Sequence, residues 1–323
     1  MNFLNFISGD QVTEILDMQT CIQLMRETLS ALSRGEAIQV LRTAMRLEGR
    51  NVLGVMPSAL LAKNVVGTKV ITIVPDNAYK GLPSHQGVVV VFEAETGSLK
   101  AIVEGETVTA IRTAAVSAVA TDVLSRKDAN SLAILGTGVQ ARMHLEAIRL
   151  VRKIDQVYVW DRRPESAVKY SEEMSEKFDI SVVPCATAEE AVKHADIICT
   201  VTAAKEPVLF GRHVQKGAHI NAVGSCTPDC RELDTELVKA SKLYTDRMES
   251  ANHEAGDYLI PLREGAIDET HLLGEVGDVL LGKIPGRQDG EEITVFEALG
   301  LAVEDLAAAD FVINQAAQRE MSR

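Results

Sequence analysis

The chain has 323 residues, of which 46% are hydrophobic and 24% charged, a composition typical of soluble globular proteins of one or two domains. Its formal net charge of −13 disfavours nucleic acid and anionic membrane surfaces as partners, because a surface that follows phosphates should be basic. No uninterrupted apolar run approaches the roughly 18 residues of a membrane helix, and the opening MNFLNFISGD lacks the basic and apolar regions of a secretory signal.

The first part of the chain predicts helices and then strands. Residues 10–32 repeat apolar positions at intervals of three and four, which predicts one or two amphipathic helices. Between 51 and 104, β-branched runs alternate with Gly, Pro, Asn and Asp, which predicts strands, with a hairpin-like turn at the ETG of residues 95–97. The Ala-rich stretch 107–126 predicts a long helix whose opening threonines can cap it.

From residue 131 the pattern alternates between strand and helix. This alternation predicts a parallel sheet with helices on both faces. Near the end of the chain, Thr294 and Glu297 have the spacing of a capping box, which predicts that a long amphipathic helix begins there. Because no strand follows this helix, we expect it to pack back on the first domain.

The stretch SLAILGTGVQA predicts a dinucleotide-binding turn. A buried strand runs into Gly136-x-Gly138-x-x-Ala141 and then into an amphipathic helix. The first glycine allows a tight turn, the second lets the backbone approach a pyrophosphate, and the amides at the helix start face the phosphates. The next strand ends at Asp161, where a carboxylate binds the ribose hydroxyls and repels a 2′-phosphate. We predict NAD with NADH preferred; NADP stays possible, because two arginines follow Asp161.

Several cations interrupt apolar patterns. Lys69 lies within an apolar run, Arg112 within the Ala-rich helix, and Arg42 and Arg46 lie four residues apart in LRTAMRLEG. Residues four apart in a strand share a face, so Arg42 and Arg46 are predicted to converge on one ligand. His85 lies in a loop that leads to another buried strand. Convergent cations indicate a small anionic substrate, most simply a carboxylate, although each cation alone is also compatible with a structural ion pair.

The loop VGSCTPDCREL carries Cys226, Asp229 and Cys230 after an apolar run that predicts a strand end. The five cysteines of the chain form no CxxC pair, which favours the reducing cytoplasm over a disulfide framework. A metal site formed by both loop cysteines and His219 is an alternative, but this ligand set is incomplete and fits no common zinc spacing. We therefore predict no metal.

Together these motifs resemble the ornithine cyclodeaminase/mu-crystallin family over nearly the whole chain. The stretches that carry the resemblance are LRTAMRLEG, GVMPS, GTKVITIVPDN, LPSHQGVVVVFEAETG, VTAIRTAAVSAVAT, ILGTGVQAR, GAHINAVGSCTPDCRELD, GEVGDVLLGKIPGR and ITVFEALGLAVEDLAAA. The ketimine (imine) reductase branch is the most similar. The resemblance implies a homodimer with an α/β fold. In it, a Rossmann-type doubly wound dinucleotide domain, residues 127–297, is inserted in an α+β substrate-binding and dimerisation domain, residues 1–126 and 298–323.

The resemblance also implies roles for individual residues. In the family, two arginines and a lysine bind the α-carboxylate of the substrate, and these roles transfer to Arg42, Lys69 and Arg112. Arg46 and Met56 are added to the predicted substrate-binding residues. The implied nucleotide contacts are Gly136, Thr137, Gly138, Val139, Gln140, Asp161, Arg162, Thr200, Val201, Thr202, Val223 and Gly224.

One departure from the family pattern bears on the reaction. Cyclodeaminases and family alanine dehydrogenases carry an aspartate at the position of Cys226, and a thiol is a poor base at pH 7 because most of it is protonated. We therefore predict an NAD(P)H-dependent reductase that converts a small α-imino acid to an L-amino acid. Lys69, His85 or water is the predicted proton donor. Candidate substrates are cyclic ketimines such as pyrroline-2-carboxylate, and acyclic imines such as iminosuccinate, whose second carboxylate would bind Arg46.

Two alternatives remain open from the sequence. The first is an ornithine cyclodeaminase or amino acid dehydrogenase in which Asp229 replaces the missing base. The second is a non-catalytic, crystallin-like binding protein that keeps the nucleotide fold. The intact set of cations argues against the second alternative.

Overall fold

The computed structural model describes residues 5–49 and 51–322. The chain divides into two compact units, one comprising Met1–Arg112 with Gly300–Arg323 and the other Thr113–Leu299. The first division falls inside a long helix, and the second lies just before the final helix. The domain boundaries predicted from the sequence, after residues 126 and 297, stay a prediction.

Among the described residues, the first unit contains a sheet of seven strands. These strands are β1 (Phe6–Ile7), β2 (Ala37–Gln39), β3 (Thr43–Arg46), β4 (Val52–Leu60), β5 (Val65–Ile73), β6 (His85–Glu93) and β7 (Leu99–Glu104). The strand order is β1-β7-β6-β5-β4-β2, and β3 also pairs with β4. Strands β4 to β7 are antiparallel neighbours, and Gly97, at φ +69°, lies in the predicted turn between β6 and β7.

The two faces of this sheet differ. Alternate residues of β4 and β5 are buried on one face, and Met56 and Lys69 lie opposite each other there. The register places Ile38, Met45 and Val66 on the other face, where they are 48%, 53% and 36% exposed. The alternation of β-branched and other apolar residues in these strands therefore produces a covered face and an open apolar face.

Two helices belong to the first unit, and a third begins in it and continues into the second unit from Thr113. They are α1 (Gly9–Ile15), α2 (Met18–Ser33) and α3 (Gly105–Leu124). Ser8 and Gln11 form a capping box for α1, and Asp17 caps α2. The start of α3 is held by Glu104, which accepts hydrogen bonds from the backbone nitrogens of Glu106 and Thr107 at 2.6 and 2.9 Å. The prediction that threonines cap α3 was therefore wrong, because a preceding carboxylate satisfies the same amides.

Helix α3 is also unusually apolar. By length and composition alone it is the one described helix that could cross a membrane, but 72% of its most apolar window is buried inside the structure. Burial of this kind is typical of a core helix, and Arg112 within it is ion-paired.

The second unit is a doubly wound α/β domain. Its strands are β8 (Ser131–Leu135), β9 (Gln156–Trp160), β10 (Val182–Pro184), β11 (Ile197–Thr200), β12 (His219–Ala222), β13 (Ser241–Thr245), β14 (Leu272–Glu275) and β15 (Ile293–Glu297). Its helices are α4 (Val139–Val151), α5 (Pro164–Phe178), α6 (Ala188–Val192), α7 (Thr235–Ala240), α8 (Met248–Glu254), α9 (Gly256–Arg263) and α10 (Val276–Leu280). The observed parallel sheet confirms the predicted Rossmann-type fold.

The strand order of this sheet locates its ligand-binding edge. The order is β10-β9-β8-β11-β12-β15-β13-β14, so the winding direction reverses between β8 and β11. All residues of β8, β11 and β12 are buried. Strands β8 and β11 are therefore mainly apolar in sequence, whereas β12 buries His219 and Asn221 in hydrogen bonds to Thr294 and Thr121. Ligands of such sheets bind beyond the carboxyl ends of the strands at the point of reversal.

The final helix, α11 (Ala302–Met321), belongs to the first unit. The capping box predicted at Thr294 and Glu297 was wrong, because both residues lie in β15, which pairs with β12 and β13. Strand pairing in the sheet overrides the local spacing of the two side chains. The helix begins at Ala302, and the carboxylate of Glu304 caps it by accepting a hydrogen bond from the backbone nitrogen of Leu301 at 3.1 Å. Helix α11 packs against α2 and the central strands of the first sheet.

Candidate active site

The three cations with predicted carboxylate-binding roles gather at the start of α11. Lys69 Nζ and Arg112 Nε each lie 3.0 Å from Asp305 Oδ1. Arg42 donates a hydrogen bond to the carbonyl oxygen of Gly300 at 3.1 Å. A Cβ atom on Gly300 would lie only 2.8 Å from Arg112 Nη1, so this guanidinium contacts the same residue. The fold therefore brings Arg42, Lys69 and Arg112 together within the first unit.

Gly300 is required by this arrangement for two reasons. Its φ of +77° lies in the left-handed region, which favours glycine. The space that a side chain would need is already filled by the guanidinium of Arg112. A larger residue at position 300 would therefore displace one of the clustered cations.

Carboxylates on α11 compensate for the burial of these cations. Arg112 Nη1 lies 2.7 Å from Glu304 Oε2, and Lys69 Nζ also donates to Thr109 Oγ1 at 2.6 Å. The side chains of Lys69, Arg112, Glu304 and Asp305 are each at most 5% exposed. A buried charge is tolerated when it is paired and hydrogen-bonded, and such pairing also restricts its movement. These cations are thus held in place before any substrate binds.

Burial and neighbouring charges shift the acidity of this cluster. Burial lowers the pKa of Lys69 to about 8, Asp305 opposes the shift, and the cations of Arg112 and Arg42 add to it. Burial would raise the pKa of Asp305, but Arg112 and Lys69 outweigh this effect and hold it below its ordinary value. A lysine that titrates near neutral pH can both bind an anion and exchange a proton under physiological conditions.

Arg46 and His85 lie in a different row of the sheet. Lys69 lies opposite Met56 of β4, whereas Arg46 lies opposite Val52 of the same strand. Met56 and Val52 are four residues apart, which is about 13 Å at the usual rise of a strand. His85 occupies the row of Arg46, across β4 and β5. Arg42 precedes β3 rather than lying in it, so its predicted strand position was wrong. Its side chain still reaches the cation cluster.

The environments of these outlying residues also differ from that of the cluster. Met56 is buried on the covered face next to Lys69, whereas Arg46 is exposed. His85 shares a hydrogen bond of 2.9 Å with Ser84 Oγ. Its pKa is lowered, first by the protein atoms around it and then by the Lys69 cation, although the side chain remains open to solvent.

The turn between β8 and α4 has the geometry that a dinucleotide needs. Gly136 has a φ of +110°, and a Cβ there would lie 2.8 Å from the carbonyl oxygen of Val201. Gly138 immediately precedes α4, and the space beside its Cα is open. Val139 is 53% exposed at the first position of the helix. The backbone amides at the start of α4 are therefore accessible to a pyrophosphate, and the residues present fit the predicted cofactor.

Asp161 follows β9 beside this turn. Its Oδ2 accepts a hydrogen bond from Thr137 Oγ1 at 2.7 Å, and its Oδ1 accepts one from the backbone nitrogen of Arg163 at 2.9 Å. Arg162 is exposed, and the side chain of Gln140 has a buried oxygen without a hydrogen-bond partner. The position of Asp161 after the second strand is the one that binds ribose hydroxyls in folds of this class.

The loops that follow β11 and β12 carry the remaining predicted cofactor contacts. Thr200 is fully buried at the end of β11, whereas Val201, Thr202, Val223 and Gly224 are partly exposed. Both loops lie at the carboxyl edge of the sheet, next to the point where the winding reverses. Glu232 is completely buried beneath them. Glu232 is not among the residues predicted from the sequence, because a single glutamate in a polar stretch gives no sign that it will be buried.

The loop after β12 also carries Cys226, Asp229 and Cys230. Both cysteines are partly buried and free. The side chain of Asp229 is 77% exposed and pairs with Arg263 at 3.4 Å, so its role as a replacement base stays a prediction. His219 Nδ1 lies 3.0 Å from Thr294 Oγ1 inside the sheet. Within residues 5–49 and 51–322, no group of three His, Cys, Asp or Glu side chains could hold a metal ion.

Comparison with known proteins extends these observations to the whole chain. Two curated relatives match almost end to end. Ketimine reductase mu-crystallin of Rattus norvegicus is 41% identical over 312 residues, covering 95% of this chain and 96% of the relative. Delta(1)-pyrroline-2-carboxylate reductase of Bacillus cereus is 37% identical over 315 residues, covering 97% of each chain.

A solved structure agrees with these relatives. The chain superposes on Delta(1)-pyrroline-2-carboxylate reductase of Thermococcus litoralis, in complex with NADH and L-proline, with a TM-score of 0.96, 37% identity and 98% coverage of each chain. The family model for ornithine cyclodeaminase/mu-crystallin proteins matches residues 5–320. With its cation cluster, its dinucleotide turn and this full-length match, the chain belongs to the ornithine cyclodeaminase/mu-crystallin family.

Proposed function

We propose that the protein is an NAD(P)H-dependent imine reductase that converts a small α-imino acid to an L-amino acid, with a cyclic ketimine of the pyrroline-2-carboxylate type as its main substrate. The observation that carries this proposal is the buried cluster of Arg42, Lys69 and Arg112, held by Glu304 and Asp305. Guanidinium and ammonium groups gathered in this way favour a ligand that carries a carboxylate. The relatives named as pyrroline-2-carboxylate and ketimine reductases support the same substrate class.

In the proposed mechanism, Arg42 and Arg112 bind the substrate carboxylate and fix the orientation of its imine carbon. Bound NADH supplies the hydride that this carbon accepts. Lys69, with a pKa of about 8, is protonated at neutral pH and can donate the proton that the imine nitrogen needs to become a good hydride acceptor. The product is a secondary or primary amine next to the same carboxylate, still bound by the cations.

The loop residue Cys226 favours reduction over cyclodeamination. Loss and recapture of an amine require a base, and the family's aspartate is replaced by a thiol here. Of the two acids in the loop, Glu232 is buried and hydrogen-bonded to backbone nitrogens, and Asp229 pairs with Arg263 at the surface of the second unit. Reduction of a preformed imine requires only a proton donor and is therefore the less demanding reaction for this set of residues.

A substrate panel tests the proposal. The purified protein is assayed with pyrroline-2-carboxylate, piperideine-2-carboxylate, iminosuccinate, and pyruvate with ammonia or methylamine, and the oxidation of NADH or NADPH is followed. A parallel assay with ornithine measures the release of proline and ammonia. We expect the highest kcat/KM with a cyclic ketimine. Release of proline and ammonia from ornithine would instead identify a cyclodeaminase, and no turnover of any imine would contradict the reductase proposal.

Arg46 supports a second candidate substrate, a dicarboxylate imine such as iminosuccinate. The residue shares the sheet face of Met56 and is exposed, so it is available to a second carboxylate. If this candidate is correct, Arg46→Ala raises KM for iminosuccinate by about tenfold, the effect of losing one charge-assisted hydrogen bond. The KM for pyrroline-2-carboxylate in the same variant is the control. Equal KM values for iminosuccinate in the variant and the wild type would exclude this role.

A homodimer is the proposed assembly, and the five free cysteines favour the cytoplasm. The open apolar face of the first sheet, with Ile38, Met45 and Val66, supports a second copy as the partner, because contiguous exposed apolar surface is typical of an interface. A double variant, Met45→Asp with Val66→Asp, is expected to be monomeric by light scattering after size exclusion. Val66→Thr, which keeps the branched shape, is the control and should remain dimeric. A monomeric wild type would contradict the proposal.

A further inference from the structure

One buried carboxylate joins two loops of the second unit. Oε1 of Glu232 accepts hydrogen bonds from the backbone nitrogen of Thr202 at 2.8 Å and from its hydroxyl at 2.6 Å. Oε2 accepts one from the backbone nitrogen of Gly224 at 2.7 Å. Thr202 follows β11 and Gly224 follows β12, so each carboxylate oxygen accepts hydrogen bonds from a different loop.

The two loops approach each other closely at this point. A Cβ atom on Gly224 would lie 2.1 Å from the carbonyl oxygen of Thr202 and 2.6 Å from Glu232 Oε1. Glycine at 224 is therefore needed so that the backbones and the carboxylate can fit together. The separation of the loops is determined by direct contact and by the hydrogen bonds of Glu232.

Glu232 is itself held firmly in place. Its backbone nitrogen and that of Leu233 donate to Asp257 Oδ1 at 2.9 and 2.6 Å. Its carbonyl oxygen accepts hydrogen bonds from the backbone nitrogens of Val208 and Leu209 at 2.8 and 3.0 Å. The carboxylate thus extends from a fixed backbone into the gap between the loops.

The chemistry of the contacts requires a carboxylate at this position. All three partners of Glu232 donate, and an ionised carboxylate is an acceptor at both oxygens. A glutamine would present its amide NH₂ to one of the loops, where it would face another N–H donor. A buried donor without an acceptor is costly, so the loop on that side would have to move.

We infer that Glu232 is a positioning residue for the dinucleotide cofactor, which it does not touch, because it sets the spacing of the loops after β11 and β12. The inference rests on the proposed function, and on the family resemblance, which implies that Thr202 and Gly224 contact the cofactor. Ligands of doubly wound sheets bind beyond the carboxyl ends of such strands. Glu232 then acts on cofactor affinity and has no direct effect on imino acid binding.

A second buried carboxylate in the same unit provides a matched control. Asp196 Oδ2 accepts hydrogen bonds from the backbone nitrogens of Asn130 and Ser131 at 3.0 and 3.2 Å, and the residue is 8% exposed. Asp196 directly precedes β11 and so lies at the edge of the sheet opposite to Thr202. Removing its charge should therefore affect the stability of the domain without changing the cofactor loops.

The test compares Glu232→Gln with Asp196→Asn. Thermal unfolding, the Kd for NADH from fluorescence titration without imino acid, and the KM for pyrroline-2-carboxylate are measured for each. We expect both variants to unfold at lower temperature, but only Glu232→Gln to weaken NADH binding, by about tenfold or more, the effect of losing a hydrogen bond to a charged group. The KM for the imino acid should change by less than about twofold. Equal Kd values for NADH in Glu232→Gln and the wild type would overturn the inference.

A milder variant covers the case in which Glu232→Gln does not fold. Glu232→Asp keeps the charge but shortens the side chain by one methylene group, so the carboxylate can no longer reach both loops. We expect weaker NADH binding and faster hydrogen exchange of the Thr202 and Gly224 amides in Glu232→Asp, with wild-type exchange of both amides in Asp196→Asn. A wild type that binds no NADH would refute the cofactor assignment itself. A wild type that binds NADH and reduces an imine, with Glu232→Asp equal to it in both measurements, would refute only the role of Glu232.

Discussion

At the residue scale, the buried pair of Lys69 and Asp305 makes a pH-dependent prediction. Asp305 raises the pKa of Lys69 against the effect of burial, so Asp305→Asn should lower that pKa from its value of about 8. Protonated Lys69 is the active form in the proposed mechanism, so kcat/KM is full below this pKa and falls as the pH rises through it. We expect the alkaline limb of the kcat/KM profile to move to lower pH by about one unit or more in Asp305→Asn.

The same helix provides the control for this prediction. Asp310 lies on α11 and pairs with Lys100 at 2.7 Å, and its side chain is 4% exposed. Asp310→Asn therefore removes another well-buried carboxylate from a lysine pair without changing the surroundings of Lys69. Its pH profile should match that of the wild type. If the limb moves equally in both variants, or in neither, Asp305 does not set the acidity of Lys69.

At the scale of elements, the end of β9 determines the predicted cofactor preference. Asp161 lies beside the turn before α4, where its charge is expected to repel a 2′-phosphate. Asp161→Asn should raise the ratio of kcat/KM for NADPH to that for NADH by about tenfold, the effect of removing one close charge. Asp155→Asn, just before the start of the same strand, is the control and should leave the ratio unchanged. An unchanged ratio in Asp161→Asn would contradict the proposed role of Asp161 in excluding NADPH.

At the scale of the whole molecule, the buried acids of the second unit link stability to pH. Burial, with the nearby charge of Glu232, raises the pKa of Asp257 from 3.8 to about 8. The pKa of Asp257 is higher in the folded than in the unfolded protein, so the neutral acid adds to the free energy of unfolding. This contribution is complete below pH 3.8, the unfolded pKa, and is lost as the pH rises through 8, the folded pKa. Burial also raises the pKa of Glu297, and both of its carboxylate oxygens lack a hydrogen-bond partner. The folded protein should therefore lose stability between pH 5 and pH 8.

Asp257→Asn tests this link, because asparagine cannot ionise and can still accept the two backbone hydrogen bonds. We expect the Tm of the variant minus that of the wild type to increase as the pH rises from 5 to 8, by roughly 3 °C per pH unit at most. Asp128→Asn, at a side chain that is 80% exposed, should show no such trend. A constant Tm difference between Asp257→Asn and the wild type across this range would show that Asp257 titrates normally.

The predictions from sequence succeeded where a pattern is local. The turn at Gly136 and Gly138 lies between one strand and one helix, so all the residues that form it are consecutive in the sequence. Lys69 and Arg112 stood out because each interrupts an apolar run. The capping box at Thr294 and Glu297 failed, since pairing of β15 with strands far along the chain decided the local structure.

The sequence by itself determined the fold class, the glycine turn before α4 and the family, and it singled out the cations that interrupt apolar runs, because periodicity, glycine spacing and ordered motifs are properties of short stretches. Only the tertiary structure decided which carboxylates accompany those cations. Arg112 and Asp305 are separated by 193 positions, and Thr202 and Glu232 by 30. Pairs of this kind form only after folding excludes water and brings distant segments together, and the sequence carries no local sign of the partner.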